Sequence, residues 1–229
     1  SEVIGDRSFH KDPQVITALA TQFMRGMRAA GMATTGKHFP GHGGVAPDSH
    51  VAEAIDTRAL DEIMGHDMQP FAQTLPWLDA LMPAHVIFSQ VDNKPAGFSK
   101  VWLKDIIRDQ LQFDGVLFSD DLSMAGAQAA GDDSDRVHAA IHAGCDIALV
   151  CNDRVAAHEA AEAAQDLPYP DQQRIKTMRG QIPEWRGDLT STCQQFEHWQ
   201  QARHRVIQTF FNMQTANSDG NQVQNSHTL

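Results

Sequence analysis

Along this chain, segments with an apolar residue every three or four positions alternate with short runs that are apolar almost throughout. The first helical stripe is Val15, Ile16, Leu19, Phe23 and Met27, opened by Asp12-Pro13 and closed at Gly31. An aspartate cap, proline at the first helical position and glycine after the last stripe residue are the start and stop signals of a helix. Thr34 to Phe39 contains two β-branched residues and runs into Pro40-Gly41. That pattern predicts a buried strand leading into a loop, which extends from Gly41 to Ala54.

The alternation continues. Leu60, Ile63, Met64, Met68 and Phe71 predict a helix from Asp56 to near Pro76, and the apolar run Ala80 to Phe88 predicts a strand. Ser99 caps a helix through Trp102, Leu103, Ile106, Ile107 and Leu111, followed by a strand from Gly115 to Ser119 with Asp120 at its carboxyl end. A further unit has a helix from about Ser134 to Ala143, a stop at Gly144 and a strand from Asp146 to Val150. Weaker helical patterns cover Val155–Gln165, Pro170–Gly180 and Thr192–Phe211.

Strands that are apolar along their whole length and separated by helices predict an α/β fold, with a parallel sheet covered on both faces. In such folds the chemistry collects at the carboxyl ends of the strands. His38, the loop with Asp48 and His50, His85 and Asp120 all follow or end predicted strands. A closed (β/α)8 TIM barrel needs eight strands and about 250 residues, and this chain supplies about half of the strands. It therefore reads as the carboxyl-terminal part, residues 1–211, of one barrel domain. Residues 212–229 are rich in Gln, Asn, Ser and Thr, with almost nothing to bury, and predict a disordered tail.

Charge and cysteine usage narrow the partners. A formal net charge of −11 repels nucleic acid and anionic lipid. No apolar stretch approaches the roughly 18 residues of a membrane span. Cys145, Cys151 and Cys193 include no C-x-x-C pair, which speaks against a disulfide framework or a thiolate zinc site and for a reducing cytoplasm. Cys145 and Cys151 flank an apolar run and read as small core residues.

Two constellations carry candidate chemistry. Ser119-Asp120-Asp121-Leu122-Ser123 puts two carboxylates where a strand leaves the core. One could act as a nucleophile or stabilise a cationic centre; equally, one could cap the following helix. The other is Lys37-His38-Phe39-Pro40-Gly41-His42, followed by Asp48-Ser49-His50. His38 and His42 have the i, i+4 spacing of a helical zinc motif, but Pro40 and Gly41 interrupt any helix between them. Asp48 can orient the His50 imidazole for acid/base work, although a solvated loop histidine beside a turn aspartate fits the same residues. Arg7, Lys37 and His85 could hydrogen-bond a polar ligand.

Taken in order, Ile4-Gly5-Asp6-Arg7, Lys37-His38-Phe39-Pro40-Gly41-His42-Gly43, Asp48-Ser49-His50, Met82-Pro83-Ala84-His85 and Phe118-Ser119-Asp120-Asp121-Leu122-Ser123-Met124 resemble glycoside hydrolase family 3. Within it they resemble the bacterial β-N-acetylglucosaminidases that recycle peptidoglycan. The resemblance implies that Asp120 is the nucleophile, His50 the acid/base and Asp48 its partner. It also implies that Arg7, Lys37 and His38 hold N-acetylglucosamine. The implied reaction removes N-acetylglucosamine from 1,6-anhydro-N-acetylmuramic acid muropeptides with retention of configuration, in a cytoplasmic monomer that uses no metal or organic cofactor. Three other readings stay open: another family 3 β-glycosidase such as a β-glucosidase, a metal-dependent hydrolase built on His38, His42 and His50, and an inactive fragment.

Overall fold

The computed structural model describes residues 4–42, 45, 54–181, 193–194 and 196–208. The chain divides into two compact units, Ser1–Gln181 and Ile182–Leu229. In the second, 197–208 is helical, and the Arg203 guanidinium lies over the Trp199 ring at 5.8 Å. The tail at 212–229 lies outside the described residues.

The first unit is α/β. Helix α1 (Pro13–Ala29) is capped by the Asp12 carboxylate, which accepts the Gln14 amide, with proline in its first turn. This is the geometry that the sequence signals call for. Its stripe is only partly covered: Val15, Ile16 and Met27 are half-buried, Leu19 and Phe23 are exposed, and the buried residue is Met24, beside the stripe. Phe23 meets Phe9 edge to face, with ring centroids 5.9 Å apart.

Strand β1 (Thr35–Phe39) is followed, beyond the histidine loop, by β2 (Ile55–Asp56), α2 (Leu60–Gly65) and α3 (Gln69–Thr74). The continuous helix expected from Asp56 to Pro76 is thus broken, because Gly65-His66-Asp67 intervenes and Pro70 begins the next helix. The expected strand over Ala80–Phe88 also divides, into β3 (Ala80–Pro83) and β4 (Ile87–Phe88). Pro83 offers no amide to continue the ladder, and the chain leaves one sheet there to join another.

A wide helix over Val101–Gln110 follows, in which Leu111 N–H closes onto Ile106 C=O. It leads to β5 (Val116–Asp121), α4 (Asp133–Ala143), β6 (Ile147–Leu149), α5 (Arg154–Ala163) and α6 (Gln172–Lys176). Asp132 and Asp135 make a reciprocal capping box at the start of α4, and Gly144 ends it with a positive φ of 130°.

The main sheet has the order β1-β3-β5-β6 and is parallel throughout. β2 and β4 form a separate parallel pair. Central strands β3 and β5 bury Ala80, Leu81, Val116 and Leu117 completely, as a sheet covered on both faces requires. Trp102 anchors the core, meeting Phe88 at 5.1 Å and Phe39 at 6.0 Å.

Ion pairs tie the amino ends of the strands. Asp79 accepts from the Thr34 amide and from Arg28. Asp146 accepts from the Leu117 amide, Arg108 and Arg174. These groups brace the end of the sheet opposite the candidate site.

Candidate active site

The site is built where two strands lose their regular pairing. On β1, Lys37 pairs with Met82 and Phe39 with Pro83, so His38 is an extra residue bulged from the ladder. Because Pro83 has no amide, Phe39 C=O instead accepts Ala84 N–H at 2.8 Å. Bulges at strand ends redirect side chains. On β5, the four residues from Phe118 to Asp121 lie opposite three on β6, from Ile147 to Leu149. The buried Ser119 hydroxyl accepts Leu149 N–H at 2.8 Å in place of a main-chain carbonyl. Asp120 lies in that irregular stretch.

The two displaced residues meet. His38 Nε2 is 3.8 Å from Asp120 Oδ2, and both side chains are largely buried. The other oxygen, Asp120 Oδ1, accepts the Asp121 amide at 2.9 Å. One carboxylate oxygen is therefore anchored by main chain, and the other faces His38.

Burial pushes the His38 imidazole down to about 4, against the pull of Asp120, and Lys37, His42 and Arg7 add to the depression. Burial also lowers His42, whose ring stands edge-on to His38 at 6.0 Å. Both rings are neutral at pH 7, so each offers one donor and one acceptor to a polar ligand. The His42 Nδ1 atom is buried with no hydrogen-bond partner among the described residues.

Lys37 is exposed on β1. Arg7 sits on a 3-10 turn, Gly5–Arg7, where its Nε donates to Ile4 C=O at 3.2 Å. Their charges reach His38, so Arg7, Lys37, His38 and Asp120 fall in one region. Asp48 and His50 lie outside the described residues.

The stems of their loop are described. A Cβ placed on Gly41, whose φ is +147°, would come within 2.7 Å of Asp67 Cβ, so Asp67 packs directly on the first stem. Asp56, in the second stem, and Asp67 share the Arg58 guanidinium: Arg58 Nη2 is 2.6 Å from Asp56 Oδ2, and Nη1 is 3.2 Å from Asp67 Oδ1. One cation thus joins both stems.

His85 follows β3. It is buried, and its Nε2 donates to Asp121 C=O at 3.0 Å while its ring stacks on Phe98 at 5.4 Å. The Asp121 carboxylate is used locally: it accepts the Ser123 amide at 3.0 Å, the Ser123 hydroxyl at 2.8 Å and the Cys151 amide at 2.9 Å.

Cys151 corrects the sequence reading. It is exposed, just past β6, and serves the site through its main chain, with its carbonyl accepting the Ser123 hydroxyl at 2.8 Å. Cys145 is buried, as expected for a small core residue. The part played by Ser119 had no sequence signal beyond its place next to Asp120, whereas His42 was marked by its spacing from His38. Among the described residues, which do not include His50, no group of three or more His, Cys, Asp or Glu is placed to hold a metal ion. None of the described helices is long and apolar enough to cross a membrane.

A carboxylate with one oxygen free of hydrogen bonds among the described residues, at the carboxyl end of a parallel strand, beside neutral imidazoles and near two cations, can attack an electrophilic carbon or stabilise developing positive charge on it.

Known proteins share this arrangement of elements. Residues 1–179 match the family described as glycosyl hydrolase family 3 N terminal domain. A beta-hexosaminidase of Pseudomonas aeruginosa is 57% identical over 180 residues, covering 79% of this chain and 54% of that protein. One of Idiomarina loihiensis is 47% identical over 203 residues, covering 89% and 61% respectively. Among solved structures, NagZ from Neisseria gonorrhoeae in complex with N-trifluoroacetyl-D-glucosamine matches with a TM-score of 0.75 at 40% identity, over 90% of this chain and 58% of that one. A glycoside hydrolase family 3 beta-N-acetylglucosaminidase from Paenibacillus sp. matches with a TM-score of 0.68 at 32% identity, over 76% and 34%. The chain spans 54% to 61% of the length of these two curated relatives.

Proposed function

Because the chain belongs to the glycosyl hydrolase family 3 N terminal domain family, with the α/β architecture of a (β/α)8 barrel, we propose that it acts as a retaining β-N-acetylhexosaminidase. The observation that carries the proposal is the Asp120 carboxylate. Oδ1 is held by the Asp121 amide, while Oδ2 is free of hydrogen bonds among the described residues and faces His38. A nucleophile needs this combination of a fixed group and an available lone pair.

In the first step Asp120 Oδ2 attacks the anomeric carbon, the glycosidic C–O bond breaks, and the leaving oxygen takes a proton from His50. In the second, water attacks the same carbon, His50 takes its proton, and Asp120 leaves as a carboxylate. Two inversions retain the configuration. Asp48 orients His50, and Arg7, Lys37 and His38 hold the sugar. A neutral His38 suits hydroxyl recognition, because it places no full charge beside the nucleophile.

The proposed sugar is N-acetylglucosamine, supported by the names of the relatives and by the N-trifluoroacetyl-D-glucosamine bound in the Neisseria structure. The finer proposal is that the enzyme releases it from 1,6-anhydro-N-acetylmuramic acid muropeptides during peptidoglycan recycling, in the cytoplasm and as a monomer. Paired assays on aryl N-acetyl-β-glucosaminides and aryl β-glucosides test the sugar choice. Comparable turnover of both would favour the β-glucosidase reading instead. For the acid/base, His50→Ala is expected to lose more activity on substrates with poor leaving groups than on a nitrophenyl glycoside. Equal losses on both would remove His50 from that role.

A further inference from the structure

We infer that His85 is a positioning residue for Asp120, acting through the main chain of Asp121. The inference rests on the reading of Asp120 as nucleophile. Asp121 is the point at which three strand ends are tied together. Its amide donates to Asp120 Oδ1 at 2.9 Å, its carbonyl accepts from His85 Nε2 at 3.0 Å, and its carboxylate accepts the Ser123 amide and hydroxyl and the Cys151 amide. The β5–β6 pairing is irregular between Phe118 and Asp121 and resumes at Asp121, which pairs with Leu149 and is followed by a bond from Leu122 N–H to Leu149 C=O at 2.8 Å, so the stretch that carries the nucleophile has regular pairing on one side only. The bonds from His85, after β3, and from Cys151, after β6, add to that pairing from both sides.

The chemistry of the ring supports this role. A carbonyl only accepts, so His85 must carry its proton on Nε2, and a neutral ring then has only a lone pair on Nδ1. That Nδ1 is buried without a partner among the described residues. Burial lowers the pKa of the imidazole, which keeps it neutral. A buried polar atom left unsatisfied needs a reason. Here the ring is oriented by one donated hydrogen bond and by its stack on Phe98, and it is packed in place by Gly126, where an added Cβ would sit 2.9 Å from His85 Cβ. An apolar residue of similar size would fill this space without orphaning an atom, but it would lose the shorter of two donors to Asp121 C=O, leaving the local Met124 amide at 3.2 Å and nothing from β3.

The test reads the nucleophile apart from acid catalysis. A 5-fluoro N-acetylglucosaminyl fluoride carries a leaving group that needs no protonation, and it accumulates as the covalent glycosyl-enzyme. In the full chain, His85→Phe keeps the stack on Phe98 and deletes the donor. Its labelling rate is expected to fall by about 10²-fold, the scale of a small misplacement of a reacting group. Affinity for N-acetylglucosamine should stay within about threefold of the parent protein, as for an interaction made only in the transition state. His85→Gln returns an N–H and should recover labelling to within about tenfold.

A parental labelling rate in His85→Phe, or a loss that lies in sugar affinity instead of rate, overturns the inference. Should His85→Phe melt below the assay temperature, His85→Gln decides alone. Near-parental labelling supports the donor role, because the amide N–H can take the place of the imidazole N–H on Asp121 C=O, a position where only a donor can bond; a folded His85→Gln with a rate about 10²-fold down contradicts it. Asp120→Ala is run in parallel. Labelling that persists in that variant sinks the nucleophile reading itself, whatever His85 does.

Discussion

His38 Nε2 and Asp120 Oδ2 stand 3.8 Å apart across β3, each displaced from its own strand by an irregularity in pairing. Although the carboxylate draws a proton toward His38, burial prevails and the imidazole titrates at about 4 instead of its ordinary 6.5.

That shift makes stability depend on pH. Between pH 6.5 and about 4 the unfolded chain holds a proton on His38 that the folded chain does not, so acid favours unfolding across this window. The contribution is present in full above pH 6.5 and is lost as the pH falls, by on the order of 2–3 kcal/mol. Urea melts at pH 7 and pH 4.5 should therefore show a smaller acid penalty for His38→Gln than for the parent protein. An unchanged penalty would show that His38 titrates normally.

The Arg58 bridge between Asp56 and Asp67 gives a second expectation. Arg58→Met strands two largely buried carboxylates, and breaking a buried pair in this way costs about 3–5 kcal/mol. Arg58→Lys retains the charge without the two-sided fork and should fall between. Since both loop stems meet at this cation, Arg58→Lys should also weaken turnover of poor leaving groups more than labelling by the fluorosugar. Equal effects would mean that the bridge contributes stability alone.

Two glycines make a matched pair. At Gly115 an added Cβ would clash with Phe113 Cζ and with the main-chain oxygen of Asp79. Gly115→Ala should destabilise by about 1–3 kcal/mol. Gly26, within α1, has nothing within 4 Å of such a Cβ, and Gly26→Ala should stabilise by about 0.5–1 kcal/mol. Thermal melts of the two variants should move in opposite directions.

Much of the scaffold could be read from the chain because local signals and packing agree. Asp12-Pro13 opens α1, the Asp132 box opens α4, and apolar runs mark β3, β5 and β6. The misreadings have local causes. Pro83 and the turn after it split one apolar run into strands of two different sheets, a distinction that hydrophobicity does not encode. Gly65-His66-Asp67 divided a helix whose apolar spacing carried on regardless. Leu19 and Phe23 show helical periodicity yet stay exposed, because period reports an amphipathic face and not what covers it.

At the site, the sequence motifs pointed to Asp120 and His38, but not to the bulges that bring them together. A bulge depends on which amides a neighbouring strand can offer. Residue type and the adjoining apolar run both suggest core for Cys151, whereas its place one residue beyond Val150 puts it at the exposed strand end, near Asp121.

The central claim, that Asp120 forms a covalent bond to the sugar, is tested most directly by mass spectrometry of peptides from protein quenched during reaction with the 5-fluoro N-acetylglucosaminyl fluoride. The account predicts one added sugar on the peptide containing Asp120, and no adduct in Asp120→Ala. An adduct on a different carboxylate, or undiminished turnover of an aryl N-acetyl-β-glucosaminide by Asp120→Ala, would contradict it.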